Sequence, residues 1–211
     1  MFELKDYSKK EISSPPKTII GVDQRFIFQE PLTLYIDEKS SFSGDDFIIK
    51  DSNDVSYFKC EGKVFSMNDK KVIYDSYDKP VLNIQEDVFI GKGMNIYAGD
   101  DSKTKLGKLN KKSMIKNNKY VYTFTNLVDN CTEELDMKCD LIGNSCGIFY
   151  GKEKEQAPMV CSVTKIRKSL FANRHDHYCI KIAPGVDAAL MVALTICYDE
   201  LKHEPEENKK K

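Results

Sequence analysis

Gly143-Asn144-Ser145-Cys146-Gly147 spells G-x-S-x-G, the sharp turn on which serine hydrolases mount their nucleophile between a strand and a helix. That chemistry needs the helix, whose first backbone N–H groups support the oxyanion hole. Ile148, Phe149, Tyr150 and Gly151 follow instead and read as another strand, so a turn flanked by glycines is expected and hydrolysis at Ser145 is a minor alternative. His175, His177 and Cys179 alternate, and on a strand they would share one face, where imidazole and thiolate make zinc ligands. Tyr178, Ile180 and Ile182 take the opposite, core-lining face, which turns the histidines to water. Cys131, Cys139 and Cys146 are spaced by eight and seven residues, unlike any common metal knuckle. Gly91-Lys92-Gly93 is too short for a phosphate loop. The expectation is a non-catalytic protein with no metal and no cofactor.

A second kind of chemistry lies in the lysines. Lys103, Lys105, Lys108, Lys111, Lys112, Lys116 and Lys119 occur between 103 and 119 without an acidic residue. Lys165, Arg167, Lys168 and Arg174 form a second acid-free group before Asp176. Near an anionic bilayer each such charge is worth about 1 kcal/mol, screened beyond about 8 Å. Lys103, Lys105, Lys108, Lys111, Lys112, Lys165, Arg167 and Lys168 are therefore candidate contacts for phosphoinositide or phosphatidylserine headgroups, on an outer, lysine-rich surface. The competing explanation is that lysines on exposed strands prevent sheet-to-sheet pairing and keep the chain in solution. Leu106, Leu109, Met114 and Ile115, set among the lysines, would anchor this hairpin in the fold or touch lipid. Nucleic acid fits poorly, because the net charge is −1, Trp is absent and no nucleic-acid motif is found. An acidic protein surface remains an alternative partner, which would make the chain a protein-interaction module in signalling or stress response.

These side chains need a scaffold, and at 211 residues with 41% hydrophobic content there is material for one large domain or two small ones. Short β-type runs cover 32–36, 47–50, 55–60, 63–67, 71–74, 81–85, 94–98, 120–124, 147–150, 159–166 and 178–182, divided by Asn, Asp and Gly turns. Leu82 and Ile84 alternate with Asn83 and Gln85, the mark of a half-buried antiparallel strand. Near the end, Asp187 reads as the N-cap of a helix over 187–202, roughly 24 Å long. Its run from Ala188 to Tyr198 is apolar on every face, yet shorter than the roughly 20 residues that span a bilayer. Strands with one apolar face and a helix with no polar face have a joint solution: a closed antiparallel barrel with the helix inside. A two-layer α+β sandwich would leave one side of that helix in water.

Polar composition marks 1–24 as a flexible N-terminal tail and 203–211 as a charged C-terminal tail around a single domain over 25–202. No apolar leader precedes the domain, and seven cysteines without a C-x-x-C look reduced, so a cytoplasmic location, peripheral at membranes when lipid is bound, is expected. Without a leader, the glycosylation pattern Asn130-Cys131-Thr132 is discounted.

The run Val163-Thr164-Lys165-Ile166-Arg167-Lys168, followed by Tyr178-Cys179-Ile180-Lys181-Ile182-Ala183-Pro184-Gly185-Val186-Asp187-Ala188-Ala189-Leu190, resembles the C-terminal signature of the LURP-one-related family. Phe47-Ile48-Ile49-Lys50-Asp51, Phe58-Lys59-Cys60-Glu61-Gly62-Lys63-Val64-Phe65-Ser66 and Asp78-Lys79-Pro80-Val81-Leu82-Asn83-Ile84 are similar to its early hairpins, and the resemblance spans about 25–202. It implies a tubby C-terminal-like fold, a barrel of roughly twelve strands around a hydrophobic C-terminal helix, shared with phospholipid scramblases. By analogy with fold relatives it also implies phosphoinositide binding, although no headgroup-binding residue of those relatives maps onto this chain. The calcium-binding stretch and palmitoylated cysteine segment of scramblases have no counterpart, so scramblase-like activity is a minor alternative.

Overall fold

The computed structural model describes residues 6–38, 46–62, 70–87, 93–112, 119–140, 143–166 and 177–203. Twelve strands follow one another among them: β1 (Leu32–Glu38), β2 (Phe47–Lys50), β3 (Ser56–Gly62), β4 (Lys71–Asp75), β5 (Pro80–Glu86), β6 (Gly93–Ala98), β7 (Lys105–Lys111), β8 (Lys119–Asn126), β9 (Cys131–Cys139), β10 (Ser145–Tyr150), β11 (Met159–Ile166) and β12 (His177–Ile182). Each pairs antiparallel with its sequence neighbours, and β12 closes the ring on β1 with Leu32 opposite Ile182 and Ile36 opposite Tyr178. Closure leaves no strand edge in the barrel, and the helix α1 (Ala188–His203) fills it.

The alternation read from the sequence is the geometry of the wall. Leu82, Ile84, Leu109, Tyr122, Val163 and Ile180 all turn inward and are fully buried. Every residue from Ala188 to Tyr198 is buried as well, which explains a helix without a polar face. Two strands escaped the sequence reading. In β7 a buried Gly107 replaces the expected large inward residue, because a Cβ there would meet the ring of Tyr122 at 2.5 Å and the Thr123 carbonyl at 2.6 Å. The first half of β9, Cys131-Thr132-Glu133-Glu134, is polar and mostly exposed, so its β signal is weak. The run expected at 63–67 lies outside the described residues.

The N-terminal segment is a correction to the expected tail. Residues 6–28 lie along the barrel: Tyr7 packs with Phe149 and Met159 on the outside of β10 and β11, and Ile19 is fully buried. Asn126 holds this segment by accepting the Ile20 N–H at 3.1 Å and donating to the Thr18 carbonyl at 3.0 Å. Asp187 does more. One carboxylate oxygen accepts the N–H groups of Gly21, Val22 and Asp23 at 3.2, 2.7 and 3.2 Å, while the other caps the helix through the Leu190 N–H at 3.2 Å. Burial pushes its carboxyl up to about 6, against the pull of those four N–H groups. At the other end of the helix, the Tyr178 hydroxyl donates to Asp199 and the buried Lys71 pairs with Glu200 at 3.0 Å.

Candidate functional site

Direct strand pairs share a face, so the register places each candidate lysine. Lys108 lies opposite Thr123 on the outer wall and is held by Asp87 at 2.6 Å. Lys112 follows the end of β7, donates its backbone N–H to the Lys119 carbonyl, and reaches Asp136 at 2.9 Å. Lys119 stands directly opposite Lys138, which lies 3.7 Å from Asp136 and 3.5 Å from Glu153. The outer ends of β7, β8 and β9 thus bring Lys112 and Lys138 to the nearly buried Asp136, Lys138 also to Glu153, and Lys119 opposite Lys138. Lys119 itself has no ion pair among the described residues. Like charges directly opposite each other across a strand pair repel, so this arrangement favours an added anion.

The remaining candidates do not join this cluster. The connection 99–104 folds back over β5, where Ser102 bonds Asn83 and Gln85. Lys103 there is 82% exposed and pairs with Asp101 at 2.9 Å, a hydrogen bond that holds its ammonium above the ordinary lysine range. Lys105 is exposed at the start of β7, at the opposite end of the strand from Lys112. Lys111 is opposite the buried Tyr120 and Lys165 opposite the buried Tyr178, so both belong to the inner face at the rim where the helix ends, not to the expected outer surface. Arg167 and Lys168, like Lys116 and Arg174, lie outside the described residues.

Ser145 opens a strand, not a helix. Its hydroxyl donates to Asp140 at 2.8 Å and accepts the Tyr7 N–H at 3.0 Å, and the residue is buried. The same carboxylate takes the N–H groups of Asn144 and Ser145, which makes Asp140 the organiser of the β9–β10 turn. His177 and Cys179 fall on the outer face of β12, while His175 lies outside the described residues. Cys139 and Cys146 face each other on the inner wall, and burial, with Cys139 beside it, pushes the Cys146 thiol up. Among the described residues no three His, Cys, Asp or Glu side chains converge on a metal position. No described helix is long and apolar enough to cross a membrane.

One feature was not legible in the sequence. A groove of about 450 Å³ opens between the segment 25–28, the start of β3 and the β4–β5 turn. Aromatic rings dominate it, with Phe28 and Tyr57 at 5.8 Å and Phe26 and Phe58 at 5.2 Å between centroids. Arg25 lies over Phe26 at 4.6 Å and pairs with Asp75 at 2.8 Å. Burial raises the Asp75 carboxyl, but the N–H groups of Lys79 and Tyr77 and the guanidinium of Arg25 outweigh it and hold the group below the ordinary range. A cluster of aromatic residues in 25–28 beside Asp23 was the available signal, hidden because the segment adjoins a polar stretch.

The comparisons agree with this architecture. The sequence model of the LURP-one-related family matches residues 32–199. Protein LURP-one-related 10 of Arabidopsis thaliana is 26% identical over 198 residues, covering 89% of this chain and 98% of that protein. Protein LURP-one-related 15 of the same plant is 24% identical over 195 residues, covering 88% and 87%. An X-ray structure of an Arabidopsis thaliana protein superposes with a TM-score of 0.64 at 21% identity over 87% of this chain and 99% of that one, which establishes the shared, tubby-like barrel. With the family signature running from β1 into the central helix, this chain belongs to the LURP-one-related family.

Proposed function

We propose that the protein is a non-catalytic binding module that docks anionic phospholipid headgroups, phosphoinositides foremost, on the outer wall of β7, β8 and β9, at the cytoplasmic face of a membrane. The observation that carries this reading is the convergence of Lys112 and Lys138 on Asp136, with Glu153 beside Lys138 and with Lys119, which has no ion pair among the described residues, directly opposite Lys138. A phosphate placed over these ammonium groups relieves their mutual repulsion and adds charge-assisted hydrogen bonds. Lys108 lies farther along the same wall and extends the positive strip, whereas Lys103 and Lys105 lie toward the other end and add only long-range attraction.

The test is sedimentation with phosphatidylcholine vesicles, with and without phosphatidylinositol bisphosphate, at low salt and at about 150 mM salt. Phosphoinositide-dependent binding that persists at the higher salt is expected. It should disappear in the folded triple variant Lys112→Gln, Lys119→Gln, Lys138→Gln and weaken in Lys119→Gln alone. Undiminished binding by the folded triple variant, or none by the parent protein, would refute the reading.

A further inference from the structure

Cys139 ends β9 and Cys146 is the second residue of β10, and the two stand directly opposite each other on the inner wall. Among the strand cysteines they are the one such pair: Cys60, Cys131, Cys161 and Cys179 all face residues of other types in the described register. The Asp140 N–H donates to the Ser145 carbonyl at 2.9 Å, which makes 140 and 145 a hydrogen-bonded pair. By alternation 139 and 146 form a non-hydrogen-bonded pair, in which Cα atoms lie about 4.5 Å apart and side chains approach most closely. A disulfide spans Cα separations of about 4.4–6.8 Å, so this pair lies within reach of one. The two thiols are already in hydrogen-bond contact.

The surroundings of the pair are built for a change of state. Cys146 is fully buried, whereas Cys139, at the strand end, is 4% exposed and is the side from which a small molecule arrives. Near both thiols lies Tyr198, whose hydroxyl is buried with no hydrogen-bond partner among the described residues. An unpaired buried hydroxyl costs stability, and an oxygen added to a neighbouring sulfur offers it an acceptor. The turn between the two cysteines is the one that Asp140 organises, and its Ser145 hydroxyl accepts the Tyr7 N–H. A bond between the sulfurs therefore closes the base of the turn that also anchors the N-terminal segment.

We propose that Cys139 and Cys146 are a reversible oxidation site, at which hydrogen peroxide converts the facing thiols into a disulfide that locks the β9–β10 hairpin. The Cys139 sulfur attacks the peroxide, the O–O bond breaks, one oxygen stays on sulfur as a sulfenic acid and the other leaves as water. The Cys146 sulfur then attacks the Cys139 sulfur, the S–O bond breaks, and the hydroxyl leaves with the Cys146 proton as a second water. Two thiols and one peroxide thus give one disulfide and two waters, the sulfurs losing the two electrons that the peroxide gains. Thiols of the glutathione class reverse the step by exchange through a mixed disulfide. Burial keeps the Cys146 thiol protonated, so the resting pair is reduced and answers slowly to oxidant. The site is independent of lipid docking, since its sulfurs face the barrel interior and the lysines face water.

The test treats the folded full chain with hydrogen peroxide, alkylates the remaining thiols under denaturing conditions and maps tryptic peptides by mass spectrometry. Cleavage after Lys138 and Lys152 leaves both cysteines in one peptide, 139–152. That peptide should become lighter by two hydrogens and resist alkylation until dithiothreitol is added, and the urea midpoint of the oxidised protein should rise and return on reduction. Exposed Cys131 reports that the oxidant is active, and fully buried Cys161 reports that the fold has held. Cys131→Ser, on an exposed turn, should form the same link, and Cys146→Ala should leave Cys139 as a sulfenic acid that dimedone traps. Oxidised Cys131 beside free Cys139 and Cys146 overturns the proposal, as does a link that forms only together with oxidation of Cys161. A link with an unchanged or lowered urea midpoint also overturns it, because the hairpin is then not locked.

Discussion

In β8, Tyr120, Tyr122 and Phe124 point at the central helix while Lys119, Val121 and Thr123 point away, so one strand serves two regimes. Inside, Asp187 is a fully buried carboxylate, and four backbone N–H groups surround it. Outside, Lys108 reaches Asp87 beyond the end of β5, Lys112 reaches Asp136 on β9, and Lys138 meets Asp136 on its own strand, through pairs that keep partial access to water. An interior charge is tolerated only where the backbone supplies a complete shell. An exterior charge needs only a neighbour or water, and Lys119 makes no ion pair among the described residues. The two faces should respond to substitution on different scales.

The largest effect is expected at the helix centre. Leu194→Asp places a carboxylate in the barrel without donors or water, and a loss of more than about 4 kcal/mol should abolish the native far- and near-UV circular dichroism. A variant that keeps both spectra would overturn the buried-helix architecture. Next is Asp187→Ala, which strips the cap and leaves three N–H groups of the 21–23 segment without an acceptor. It should cost about 2–4 kcal/mol in urea unfolding and expose the N-terminal segment to proteolysis first.

The same carboxylate sets a pH signature. Its folded value of about 6 stands above the ordinary 3.8, so the folded state binds the proton more tightly. Its contribution to stability is complete below about 3.8 and lost as pH rises through about 6. Between these values stability from this group falls by about 1.4 kcal/mol per pH unit, and Asp187→Asn should flatten that slope. Asp75, held below the ordinary range, acts in the opposite sense and costs stability only in stronger acid.

Smaller effects sharpen the contrast along β7. Gly107→Ala forces a Cβ against Tyr122 and the Thr123 carbonyl, with an expected cost of about 1–3 kcal/mol by chemical denaturation. Lys108→Ala leaves Asp87 without its 2.6 Å partner in a largely covered site and should cost about 1 kcal/mol. Lys103→Ala, on a fully exposed pair with Asp101, should leave the melting temperature unchanged. Equal losses at Lys108 and Lys103 would show that the β7 wall does not grade its ion pairs by burial.

How much was legible follows the same division. Period-two alternation marked most strands because their inner residues are uniformly apolar, and the all-apolar run 188–198 required a wall on every side. The β7 strand was missed because Gly107 yields its space to Tyr122, a vacancy defined by another strand. The segment 6–24 was taken for a tail because its attachment is made by backbone groups of residues 18–23, whose partners Asn126 and Asp187 lie more than 100 positions away. Among the lysines, composition showed a cationic stretch but not its partners. Asp87 and Asp136 come to Lys108 and Lys112 only through the register across β5 to β9, and Lys138, from a separate strand, completes the cluster.

By itself the sequence determined the barrel and its central helix, because burial of apolar side chains is a local pattern repeated strand by strand. It also determined the helix start at Asp187, through the capping preference of an acidic residue before an apolar run. The tertiary structure alone decided which lysines face one another and which rings line the groove at Arg25. Those groups come from segments distant in the chain, and their energies depend on the register that brings them together.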